Sequence, residues 1–176
     1  MSKWWIVTWS TFGTWLPGDP RGFQTWKGRE YVPPPERYAS LGEPTYDANE
    51  YVQRLRLVQA VTAPPVFLDR RQQEDVITAI VDEVSQLSLL PAILSIKRNH
   101  VHFLAKFGPL LIRPTIGRLK AAATRALHEE MGVNAVRVWS RNCHRTSFDG
   151  MKAFENAFEY IRKHQDHGAL IHIWDH

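Results

Sequence analysis

Two β-prone runs, Pro91 to Lys97 and His100 to Phe107, are separated by only two polar residues, Arg98 and Asn99. Strands joined so tightly can pair only as antiparallel neighbours, because a parallel return needs a crossover of roughly a dozen residues or more. The two runs are therefore expected to pair antiparallel. Lys3 to Ser10 is a β-branched and aromatic run ending in the turn-rich segment Thr11 to Gly22, so a strand opens the chain. Asp69 followed by Gln72 has the form of a capping box, and Val76, Ile77, Ile80, Val81 and Val84 then recur at helical spacing. Ile112, Ile116, Leu119, Ala123 and Leu127 mark one stripe of a second helix, running to Met131 and closed by Gly132. Val136 to Ser140 reads as a fourth strand. Phe154, Phe158 and Ile161 give the buried face of a last helix that ends near Gly168, before the apolar tail Ala169 to Trp174.

The order strand, helix, strand, strand, helix, strand, helix predicts an α+β fold: a ferredoxin-like split βαβ antiparallel sheet with helices on one face, plus an extra C-terminal helix. The other sheet face is then left for a ligand. A length of 176 residues suits a single domain over 1–176, carrying a proline-rich surface insertion over about 19–66. In that insertion Pro33-Pro34-Pro35 and Pro64-Pro65 punctuate a polar stretch, and Asn49 to Val61 suits a short helix. At 44% hydrophobic and 23% charged residues the chain can bury a core, which excludes a disordered tail. No apolar run approaches the roughly 20 residues that cross a bilayer, and the amino terminus lacks a secretory signal pattern. The expectation is a cytoplasmic protein without membrane contact. Cys143 stands alone, so an intrachain disulfide or a zinc knuckle is excluded and any metal must be held mainly by His, Asp, Glu or Gln. The formal charge of +4 is compatible with an anionic partner without indicating one.

On the strand His100-Val101-His102-Phe103 side chains alternate, so both imidazoles point to one face and the apolar pair to the other. The histidines are then about 7 Å apart at the backbone, a gap two imidazoles can close around one ion. With 8 histidines in the chain, chance alone gives roughly 0.36 His-x-His patterns, so the pair acquires meaning only from its surroundings. Tyr160 and His164 supply them. Four residues apart on the last helix, they lie about 40° from each other and beside the buried stripe, where a side chain can be anchored by the core and open to a cleft. Gln165, about 140° from Tyr160, falls in the apolar stripe with Phe154 and Phe158 and is the weaker partner. With this helix across the open sheet face, His100, His102 and His164 make three nitrogen ligands, with Tyr160 one turn away. A phenol of ordinary pKa, about 10, is a poor nucleophile and needs a Lewis acid to polarise a phosphodiester and hold it in line. Attack by Tyr160 gives a phosphotyrosine and a free hydroxyl, keeping the bond energy for rejoining.

His100-Val101-His102, preceded by Asn99 and followed by Val138-Trp139-Ser140-Arg141 and then Tyr160-Ile161 with His164, resembles the single-tyrosine HUH transposases, where U is a hydrophobic residue. The opening Thr11-Phe12-Gly13-Thr14-Trp15-Leu16-Pro17-Gly18-Asp19-Pro20-Arg21-Gly22 is similar to their REP-associated tyrosine transposase branch. The resemblance implies a metal-dependent single-stranded DNA endonuclease and strand transferase that recognises palindromic hairpins, forms a 5′-phosphotyrosine and leaves a 3′-hydroxyl. It assigns Tyr160 as nucleophile and His100 and His102 as metal ligands, with His164 at the third ligand position, often Gln or Asn in relatives. The cofactor implied is a divalent ion, magnesium or manganese, and an imidazole at His164 shifts the preference towards manganese or zinc. The partner is single-stranded or hairpin DNA, the protein a monomer or homodimer at the nucleoid. The chain departs from the family where Asn142-Cys143-His144-Arg145-Thr146 replaces an aromatic-rich stretch.

For nucleic-acid contact the candidates are Arg113 and Lys120 on one flank of the helix from Ile112 to Met131, and Arg118 and Arg125 on the other. Such a face can bind phosphates without reading bases. Trp4, Trp5, Trp9 and Trp15 crowd the first strand and its turn and are read mainly as core, with one or two available to stack on unpaired bases. Cys143 and His144 are too few for a second metal site, and His167, His172 and His176 show no readable spacing. The alternative from another class is an inactive, domesticated ferredoxin-like protein that only binds DNA or RNA hairpins.

Overall fold

The computed structural model describes residues 3–16, 19, 23–24, 31–32, 48–131 and 137–175. They divide into two compact units, Met1–Thr11 with Phe67–His176, and Phe12–Val66. The smaller unit contains a short antiparallel pair, β2 (Phe23–Gln24) with β3 (Tyr31–Val32), and helix α1 (Ala48–Val61). Its ends are tied by the Val66 amide donating to the Phe12 carbonyl at 2.9 Å. Gly13 makes that closure practicable: its φ is +74°, and a Cβ there would meet the Pro65 backbone at 2.9 Å. Pro33-Pro34-Pro35, Gly132 and Val136 lie outside the described residues.

The larger unit is built on β1 (Trp4–Ser10), α2 (Arg70–Ser85), β4 (Leu90–Ile96), β5 (His100–Lys106), α3 (Ile112–Met131), β6 (His144–Phe148), α4 (Met151–Arg162) and β7 (Leu170–Ile173). The order across the sheet is β6-β1-β5-β4-β7, and every pairing is antiparallel. The first four strands have the ferredoxin-like order, and β7 adds an edge beside β4. The capping box starts α2: Asp69 Oδ1 accepts from the Gln72 amide at 2.9 Å and Gln72 Oε1 from the Asp69 amide at 3.0 Å. The tip of the central hairpin is held from outside. Thr11 donates its amide, at 2.9 Å, and its hydroxyl, at 3.1 Å, to the Asn99 carbonyl, and the Leu68 amide donates to the Arg98 carbonyl at 2.7 Å.

Strand alternation gives the sheet two different faces. Val7, Trp9, Leu94, Ile96, Val101 and Phe103 are buried on one, towards α2 and α3; Trp9 packs edge-on against Trp139, whose indole donates to the Lys120 carbonyl on α3. Ile6, Ile93 and Leu104 point to the other, where α4 lays down Ile161, Phe154, Ala157 and Phe158. Helix α4 covers only the apolar end of this second face. Beyond it the same alternation runs into Thr8, Ser95, His100 and His102.

The sequence places the fourth strand at Val136 to Ser140; the structure places it at His144–Phe148. Trp139 makes only a single bridge to Thr11, and the Ser140 amide donates to the Ser10 carbonyl at 3.0 Å. Val138 and Trp139 are apolar because they are buried beneath the sheet's end. His144-Arg145-Thr146 can be polar because an edge strand covered on few sides has little to bury. Among the tryptophans of the first strand and turn, Trp9 is buried, Trp4 and Trp5 are half-buried and Trp15 is exposed.

Candidate active site

His100 and His102 sit on the second face because β5 pairs with β1 and β4 in a register that sets Thr8 and Ser95 on either side of His102. His164 arrives from the far end of α4. The α-helix stops at Arg162 and continues as a single 3₁₀ turn, Lys163–His167, closed by Gly168 at φ 77°. The change of pitch turns His164 inward and leaves Gln165 exposed, so Gln165 does not join the apolar stripe that uninterrupted α-helical spacing assigns it.

The four rings meet. Ring centres are 4.9 Å apart for His100 and His102, 4.5 Å for His102 and His164, and 6.4 Å for His100 and His164. Tyr160 stands edge-on to both inner imidazoles, 5.7 Å from His102 and 4.8 Å from His164. The two inner imidazoles are only 6% and 7% exposed, whereas Tyr160 is 54% exposed, so the phenol is anchored on the cluster and open to solvent.

Each imidazole is oriented through Nδ1. His100 donates to Asn99 Oδ1 at 2.7 Å, His102 pairs with Thr8 Oγ1 at 2.9 Å, and His164 faces Ser95 Oγ at 3.4 Å. In His102 and His164, with Nδ1 engaged, Nε2 is the nitrogen that can meet a cation, the usual arrangement of an outer hydrogen bond behind a ligand. Burial above all, then His100, His164 and Lys97, push the His102 imidazole down to about 2. Burial, Lys97 and His167 push His164 down as well. Both rings are therefore neutral at physiological pH, with a lone pair to offer.

A divalent cation is tested against these spacings. With metal–nitrogen distances of about 2.1 Å and a ring centre about 1.1 Å behind each nitrogen, two ligand rings have centres roughly 4.5 to 5.2 Å apart. The pairs His100–His102 and His102–His164 meet that range; His100–His164 is wider. Among the described residues no three His, Cys, Asp or Glu side chains stand in closed ligand geometry. The donor set thus matches a cation in number and in charge state, while the wider His100–His164 spacing leaves the trio short of closing on one point.

The basic helix lies elsewhere. Arg118, Lys120 and Arg125 belong to α3, on the sheet face opposite His102. Arg118 Nε donates to Glu83 at 2.9 Å, Arg125 approaches the same carboxylate at 4.0 Å, and Arg113 is exposed. Lys120 is turned inward, its ammonium donating to the carbonyls of Ser140 at 2.9 Å and Asn142 at 3.0 Å. Burial first, opposed by Cys143 and reinforced by Arg137, lowers its pKa to about 8. Between that value and about 10.5 the unfolded chain holds more protons than the folded one, so stability rises with pH through this window. The expected outcome is that wild type gains stability over Lys120→Met as pH goes from about 8 to about 10, checked by urea unfolding of both proteins.

Thr8 and Ser95 are missed by motif reading. Their signal is a hydroxyl among apolar strand residues, but only the register shows that both face His102. His144 opens β6 and pairs with Thr146 Oγ1 at 3.2 Å.

No helix among the described residues is long and apolar enough to cross a membrane. No family model and no curated relative matches the chain. Its structure is similar to that of a REP-associated tyrosine transposase solved bound to a REP hairpin, with a TM-score of 0.50 over 95% of this chain and 69% of that one, at 10% sequence identity. At that identity the likeness is one of fold, and the fold is α+β, a five-stranded antiparallel ferredoxin-like sheet with helices.

Proposed function

We propose that this chain is a metal-dependent endonuclease and strand transferase for single-stranded or hairpin DNA, with Tyr160 as the nucleophile and His100, His102 and His164 as ligands of one divalent cation. The observation that carries this reading is the meeting of a solvent-open phenol with three imidazoles drawn from the central hairpin and the C-terminal helix. The fold shared with a transposase bound to a REP hairpin supports a hairpin as the substrate.

In the reaction the Tyr160 oxygen attacks phosphorus, losing its proton on the solvent side, and the bond to the 3′ oxygen breaks. The products are a 5′-phosphotyrosine and a strand that takes up a proton to end in a 3′-hydroxyl. Asn99, Thr8 and Ser95 hold the imidazoles in place, so little reorganisation is needed when substrate arrives. A divalent cation, when bound, supplies neutralisation and polarisation of the phosphate; magnesium or manganese are the expected ions, and three nitrogen donors favour manganese or zinc. Arg113 is assigned to phosphates away from the scissile linkage, with Arg118 and Arg125, whose guanidinium groups are exposed although they also meet Glu83, as secondary candidates. Lys120 is committed to its two carbonyls and is assigned less.

The test is incubation with hairpin oligonucleotides and manganese or magnesium, followed by denaturing electrophoresis. A denaturation-resistant protein–DNA band supports the proposal. Hairpin binding without such a band across substrates and ions supports the rival, a binding protein on the same fold.

A further inference from the structure

A charged residue, Lys97, stands on the same face as the cluster and has no part in the attack on phosphorus. Lys97 directly follows β4, and continuing the alternation Ile93, Ser95 by one step sets it on the same face as Ser95, the residue that meets His164. Its amide donates to the His100 carbonyl at 2.9 Å, so Lys97 and His100 are directly opposed, with Cβ atoms roughly 4.5–5.5 Å apart. The ammonium acts on both His102 and His164. It forms no ion pair or hydrogen bond with a described residue, and the side chain is half-buried. On α4 the carboxylate of Glu159 is engaged, both oxygens accepting from Arg162 at 3.0 Å.

An ammonium on the same sheet face as these imidazoles is electrostatically unfavourable by itself. It becomes favourable once an anion lies between them, because the same ammonium that repels a protonated or cation-bearing histidine attracts a phosphate oxygen. Lys97 is at the hairpin end of the face, away from the apolar end covered by α4, and is half-buried.

We propose that Lys97 binds a non-bridging oxygen of the phosphate that Tyr160 attacks, making the substrate of this cluster a phosphodiester held between the ammonium and the histidine trio. The identity of the anion rests on the phosphotyrosine reading above; the anion site does not. An ammonium there offsets charge on the phosphate as the phenol oxygen approaches and makes anion and cation binding mutually reinforcing.

Two arms of one experiment separate the claims, using the full chain with Lys97→Met and Lys97→Arg. In the first, inorganic phosphate is titrated while the ring-proton resonances of His102 and His164 are followed by NMR. Wild type is expected to show saturable shifts, Lys97→Met to bind phosphate about tenfold more weakly or worse, and Lys97→Arg to retain most of the affinity. Equal phosphate affinity in wild type and Lys97→Met, or no saturable shift in wild type, overturns the proposal. In the second arm the rate of adduct formation on a hairpin oligonucleotide is expected to fall at least about tenfold in Lys97→Met and to recover in Lys97→Arg. An adduct that forms at an unchanged rate in Lys97→Met sinks the role of Lys97 while sparing Tyr160. Absence of any adduct in wild type sinks the nuclease reading, and the phosphate titration still decides the anion site.

Discussion

Tyr160→Phe is expected to leave a folded, hairpin-binding protein that forms no covalent adduct. The substitution removes a single oxygen from a side chain that is 54% exposed and whose packing is made by its ring, edge-on to His102 and His164. A surface change of that kind shifts stability by no more than about 0.5 kcal/mol. Removing the nucleophile costs the whole covalent pathway, a drop of about a thousandfold or more in adduct yield. Thermal unfolding and denaturing electrophoresis of the same preparation check both halves. An adduct that survives in Tyr160→Phe moves the nucleophile elsewhere.

The second large effect belongs to the imidazoles, and the structure separates them. His100→Ala and His102→Ala are each expected to cut adduct formation at least about a hundredfold, because each deletes one of the three proposed nitrogen donors. Hairpin affinity is expected to stay within about tenfold, since phosphate contacts spread over the surface dominate binding. Stability should differ between the two. His100 is half-buried at the hairpin tip, so its loss is cheap. His102 lies inside the sheet face with Thr8 bonded to its Nδ1, so His102→Ala leaves a cavity and a stranded hydroxyl, costing about 1–3 kcal/mol. Urea unfolding, fluorescence anisotropy on a labelled hairpin and the adduct assay measure the three quantities. If both variants lose affinity, stability and adduct in parallel, the imidazoles are scaffold.

Much of this arrangement is written in local patterns. Two strands with three residues between them dictate the central hairpin, and alternation alone puts His100 and His102 on a common face. The capping box announces α2, and Phe154, Phe158 and Ile161 announce α4. What local pattern does not carry is register and pitch. The alignment of Thr8 and Ser95 with His102, and of Lys97 with His100, follows from strand pairing between segments up to 94 residues apart. The inward turn of His164 depends on a switch to 3₁₀ geometry that the amphipathic pattern does not reveal, which is why Gln165 is assigned to the wrong environment. The fourth strand is misplaced because burial of Val138 and Trp139 imitates a strand while a polar edge strand hides. The basic residues of α3 read as a single cationic surface, yet Glu83 on α2 and two loop carbonyls claim three of the four.

The most direct measurement is the site of covalent attachment. Wild-type protein reacted with a hairpin oligonucleotide and manganese is digested with protease and nuclease, and the peptide bearing residual nucleotide is located by tandem mass spectrometry. The account predicts a nucleotide phosphate on Tyr160, dependent on the added ion. A modified residue anywhere else, or clean strand cleavage with no protein-bound nucleotide, contradicts it.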